Sequence, residues 1–351
     1  MSNTRMERQS NIELLRIIAT IFILVLHTDF FSIGSPSMEE LHAEPVWTLV
    51  RLAVQYATLV GVDVFVLISG WFGMRLRLSS VAKLIFQCAF FGYLVMAVCY
   101  AAGLIQLSGV LLVMEALGAR HWFVVCYIGL MILAPALNSF VETAPRRQLT
   151  VALIAFFAFQ TLYGNLVPRQ SAMQMGYSTM SFIGLYLIAR YIKVYKSDIC
   201  NWNGWKYTYL ASVVATVALA VSLLPTGFDY MLSYISPLNI LAALSLLLAF
   251  AGMRIGPNRF INWVAAGSFG AYLLHTSQIE LYHDLFSGLY ATHTHAEYCG
   301  YVVVLVSIFF TVGVCLDASR RYLWSKFCML LSCISNFGSK TSPYSNDSEC
   351  V

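Results

Sequence analysis

Arg16 and His27 stand eleven residues apart in the apolar stretch LLRIIATIFILVLHTDFF, which runs from Leu14 to Phe31. At about 100° per residue, a helix brings them back to nearly the same azimuth, about 16 Å apart along the axis. Their types suit different chemistry. A guanidinium is a permanent cation whose planar donor fork fits phosphate. An imidazole titrates near neutrality and can take the proton of an attacking hydroxyl. Each costs about 2.5 kcal/mol or more at depth in a bilayer, so such residues face a protein interior or a water-filled cavity. The spacing therefore describes a polar track along one helix face. Two blander readings stay open: Arg16 snorkelling to the headgroups, and His27 bonding a neighbouring helix.

Other side chains belong to the same question. Asp63, in GVDVFVLISGWF, is expected at a depth similar to Arg16, as its structural charge partner first and as a catalytic group second. Glu13, three residues before Arg16, is a second possible partner. Asp29 falls about 200° round the helix from His27, so it orients that imidazole only if the helix has already ended. His275, in FGAYLLHTS, is expected in the same membrane half as His27, as a second catalytic histidine or as a packing one. His121 and Trp122 stand at a span boundary, lining a substrate entrance or simply anchoring the interface. His283, His293 and His295 lack the spacing of a helical metal pair, and no metal site is read.

The elements that must position these groups are membrane helices. Of 351 residues, 59% are hydrophobic and 11% charged, against about a quarter charged in soluble domains. Mean hydropathy is +0.72. Apolar runs of about 20 residues recur, each able to cross a core about 30 Å thick. The expected fold is all-α and polytopic, with about ten spans at 12–31, 46–72, 81–105, 122–139, 150–166, 176–192, 206–224, 235–252, 260–282 and 297–316. A short interfacial helix is expected within 106–121. With both termini cytoplasmic, the 21 Lys and Arg all fall inside except Arg51, Arg120 and Arg169, as cytoplasmic bias requires. The net charge of +4 is then an orientation signal and does not imply nucleic-acid binding. The first span reads as retained, since no small-residue cleavage site follows it. Nine cysteines without C-x-x-C spacing suggest no disulfide framework. Residues 1–320 read as one transmembrane domain and 321–351 as a partly disordered cytoplasmic tail.

In this frame the chain resembles the acyltransferase-3 family of integral-membrane acyltransferases. NIELLRIIATIFILVLH matches its opening helix, a basic residue followed after ten positions by histidine. GVDVFVLISGWF, HWFVVCYIGLMILAPALN and FGAYLLHTS resemble its later motifs, in the same order. The resemblance implies transfer of an acyl group, usually acetyl from acetyl-CoA, to a hydroxyl of an extracytoplasmic or lipid-linked glycan in a bacterial cytoplasmic membrane. Acyl-CoA would be a co-substrate, with no permanently bound cofactor. His27 becomes the candidate base, by direct attack or through an acyl-histidine. Arg16 becomes the candidate coenzyme grip, extended by Arg75 and Arg77 unless these are ordinary topology anchors. The chain lacks the long basic stretch after the second helix and the fused hydrolase-like domain of some members. It is therefore expected to acylate its acceptor directly or to work with a separate extracytoplasmic transferase; a homo-oligomer is a further partner expectation. A secondary transporter or a non-catalytic glycan-export subunit is the competing reading, although paired Gly/Pro-interrupted spans are not evident.

Overall fold

The computed structural model describes residues 9–164, 172–226 and 232–340, with side chains to Met329. Arg5, Arg8, Arg169 and the end of the tail, 341–351, lie outside the described residues. All regular structure among those described is helical. The helices are α1 (Ser10–Thr28), α2 (Met38–Ala43), α3 (Pro45–Thr58), α4 (Gly61–Phe72), α5 (Leu78–Ala101), α6 (Gly109–Ala116) and α7 (Trp122–Thr143). They continue with α8 (Arg146–Phe159), α9 (Thr179–Tyr195), α10 (Trp205–Leu223), α11 (Pro237–Gly252), α12 (Arg259–Thr276), α13 (Ile279–Thr292) and α14 (His295–Lys340).

Among the described residues, six helical stretches are long and apolar enough to cross a membrane: Ser10–Thr28, Pro45–Phe72, Leu78–Ala101, Trp122–Thr143, Trp205–Thr226 and His295–Met329. The protein is an all-α, multi-pass membrane protein. Within the described residues, the expected spans at 150–166, 176–192, 235–252 and 260–282 are largely helical but do not reach that threshold. α8, α9 and α11 are shorter than a full crossing, and α12 carries Arg259, Asn262, Ser268 and His275. The short helix expected within 106–121 is α6. α14 continues without a break into the segment read as tail.

α1 is the hub, packed against α3, α4, α11, α12, α13 and α14. Such contact needs small residues where backbones meet. At Gly61 a Cβ would stand 2.8 Å from Ile23 Cγ1 and 2.9 Å from the Ala19 carbonyl, so only glycine permits this α4–α1 approach. The second span is broken at Leu59–Val60. Just before the break, Thr58 Oγ1 bonds back to the Val54 and Gln55 carbonyls, a habit that bends helices.

Candidate active site

The C-terminal end of α1 carries His27, and its backbone is tied down there. The last carbonyls of a helix lack intrahelical partners, yet here Tyr282 Oη donates to Leu24 O (3.2 Å), Ser32 Oγ to His27 O (2.5 Å) and Tyr298 Oη to Thr28 O (2.6 Å). Just beyond the helix, the buried Asp29 accepts both contacts of Arg51 Nε, at 3.0 and 3.2 Å. Arg51 also bonds Glu40 (3.0 Å) and the Gly34 carbonyl (2.7 Å). Asp29 therefore clamps the loop and does not orient His27.

His27 is oriented by His275 instead. His275 Nδ1 lies 3.1 Å from the Ala271 carbonyl, and its Nε2 lies 3.2 Å from His27 Nδ1. A carbonyl can only accept, so His275 carries its hydrogen on Nδ1 and, when neutral, presents a lone pair at Nε2. That lone pair accepts from His27 Nδ1–H. The proton-free nitrogen of a neutral His27 is then Nε2, which bonds no described protein group.

Two cavities lie along α1. The first, about 380 Å³, is lined by Arg16, Lys83 and Arg321 among polar and aromatic groups that include Ser69, Gln87 and Tyr127. Arg16 pairs with Glu13 at 3.2 Å. Arg321 is held by Asp317 at 3.3 Å, a buried carboxylate that Gln87 and Arg320 also bond. The second cavity, about 250 Å³, is lined by His27, His121, His283 and Arg120, with Trp122, Tyr177, Tyr234 and Tyr272 as aromatic walls. His283 reaches it from α13, its ring centroid 5.8 Å from that of His27. Lying outside the six spans, His283 has its pKa lowered by burial, against the opposing pull of Asp284 and Glu280.

The continuous polar track expected along α1 is divided. Phe123 and Phe269 border the Arg16 cavity, Tyr272 borders the His27 cavity, and their ring centroids lie 5.3–6.3 Å apart. Aromatic rings thus partition the two ends of the stripe.

Among the sequence-predicted residues, His27, His121 and Trp122 line one cavity, His275 stands behind His27, and Arg16 lines the other. Asp63 is a correction. It is fully buried but accepts from Asn239 Nδ2 at 2.8 Å, while the carboxylate on Arg16 is Glu13. The physical reason is that Arg16 satisfies its charge within its own helix turn, and α11 supplies an uncharged donor to Asp63. Arg75 and Arg77 are exposed in the turn after α4, and neither lines the Arg16 cavity. The sequence reading does not single out Lys83, Arg321 or the tyrosine walls, and it considers His283 only as a histidine without metal spacing. The first two were visible only as part of the cytoplasmic charge bias.

The sequence profile described as the acyltransferase domain of the acyltransferase-3 type matches residues 9–320. The chain belongs to this family. The matched region contains every lining residue of the His27 cavity and all of those of the Arg16 cavity except Arg321, which stands one position beyond it. No curated protein matches the chain, and no solved structure does. The protein is a membrane acyltransferase.

Proposed function

We propose that this acyltransferase moves an acyl group, acetyl in the simplest case, from acyl-CoA to a glycan hydroxyl, with the Arg16 cavity facing the cytoplasm of a bacterial inner membrane. The observation that carries the reading is the Ala271–His275–His27 chain, which leaves His27 Nε2 as a proton acceptor in an aromatic-walled cavity. A sugar hydroxyl is a poor nucleophile until a positioned base takes its proton as it attacks. Trp122, Tyr177, Tyr234 and Tyr272 offer apolar faces to a sugar ring and polar edges to its hydroxyls. Arg16, Lys83 and Arg321 suit the phosphate-rich end of coenzyme A. The thioester arm would then cross the aromatic partition to reach His27.

The division of labour follows from position. Arg16, with Lys83 and Arg321, holds the donor. His27 accepts the acceptor's proton, and His275 is a positioning residue that selects the tautomer. Membranes containing the protein, given labelled acetyl-CoA and a glycan acceptor, test this directly. Label should pass to glycan with the wild type and not with His27→Ala. Coupled solute uptake without label transfer would favour a carrier instead.

A further inference from the structure

We propose that Thr276 is an acyl-carrying nucleophile, activated by His121 and Glu115, so that transfer passes through an acyl-threonine ester. This rests on the acyl-thioester reading above.

Glu115, in the last turn of α6, is fully buried. It fits against α5 because residue 92 is glycine: a Cβ there would collide with the Glu115 carboxylate. One oxygen, Oε2, lies 3.3 Å from Arg120 Nη1. The other, Oε1, lies 3.4 Å from His121 Nε2, within ion-pair distance but short of hydrogen-bond geometry, and among the described residues neither atom has a hydrogen-bond partner. His121, the residue before α7, is 2% exposed, and its Nδ1 lies 3.2 Å from Thr276 Oγ1. Thr276 closes α12 and lines the cavity of His27. A carboxylate, an imidazole and a hydroxyl from three helical elements therefore run in series to the cavity wall. That order is the one by which an orienting acid and a base activate a hydroxyl nucleophile. In the resting arrangement the Thr276 hydrogen rests on the Tyr272 carbonyl, 2.8 Å away. Rotation of the hydroxyl about the Cβ–Oγ1 bond turns that hydrogen to His121 Nδ1, already 3.2 Å away. Arg120 is fixed beside Thr276 by its bond to the Ser277 carbonyl (3.0 Å). It lines the same cavity and supplies positive charge where an oxyanion would form.

The step balances. Thr276 gives its proton to His121 Nδ1 as Oγ1 bonds the thioester carbonyl carbon. The C–S bond then breaks, and the departing thiolate takes that proton from His121. In the second half, the acceptor hydroxyl gives its proton to His27 Nε2 as its oxygen attacks the ester carbon. The bond to Oγ1 breaks, and the proton held by His27 returns to Thr276.

The full-length protein in lipid nanodiscs, mixed with acetyl-CoA without acceptor and acid-quenched, should gain one acetyl group on the peptide containing Thr276, with release of coenzyme A. Thr276→Val should abolish loading and transfer, and Thr276→Ser should retain loading. His121→Gln should slow loading by about 100-fold or more, and His27→Ala should accumulate the loaded form because discharge is blocked. Acetyl found on His27 would overturn the proposal. So would transfer with no labelled protein at any quench time, or a folded Thr276→Val that transfers at the wild-type rate. If Thr276→Val does not fold, the position of the label in wild type decides. A wild type that neither loads nor transfers from acetyl-CoA overturns the thioester reading itself, which separates the two failures.

Discussion

The two cavities along α1 solve opposite electrostatic problems. The Arg16 cavity gathers permanent cations and ties two of them to carboxylates, Arg16 to Glu13 and Arg321 to Asp317. The His27 cavity places imidazoles among aromatic rings, and its cation, Arg120, is held by Glu115 and the Ser277 carbonyl. A fixed charge is tolerable where headgroups and water are near, and costly toward the bilayer middle. Imidazole can be neutral when idle and charged only during transfer. The difference supports the proposed division of labour along one stripe of α1, with anion binding at one end and proton transfer at the other.

The comparison can be broken at either end. His27→Ala should lower kcat for acyl transfer by about 10²–10⁴-fold without raising the donor KM. Arg16→Ala should do the reverse, raising the donor KM by about 10–100-fold, the range expected for a lost charge-assisted bond, with kcat nearly intact. Matching losses in both parameters from both variants would erase the distinction. Trp122→Ala should raise the acceptor KM by about tenfold through lost ring contact, leaving the donor KM alone. Smallest of all, Arg75→Ala with Arg77→Ala should change the donor KM by no more than a few-fold, as expected for exposed charges. Steady-state assays with either substrate varied measure all four.

Much of the arrangement is legible in the chain because its signals are local. Apolar run length identifies membrane helices, and the Arg16–His27 interval places both residues on one face. His275 is likewise found near His27 from its depth alone. The expected pairing of Asp63 with Arg16 fails because depth does not give azimuth, and the Asn239 that meets Asp63 is remote in sequence. His283 is missed for a related reason. The span expected over 260–282 breaks at Ser277–Gln278, without glycine or proline to mark it, and the resulting helix α13 swings His283 toward His27. The aromatic partition also depends on side chains from α7 and α12 meeting, which no periodicity within either helix encodes. Short and polar helices such as α9 and α12 blur the count of crossings, since buried partners relieve them of the apolarity a lipid-facing span needs.

The central claim is that His27 supplies the base in its cavity, and chemical rescue tests it most directly. Acyl transfer by His27→Ala should be nearly abolished and should recover in proportion to added imidazole, which can occupy the space the side chain leaves. A folded His27→Ala that transfers label at the wild-type rate, with or without imidazole, would contradict the account.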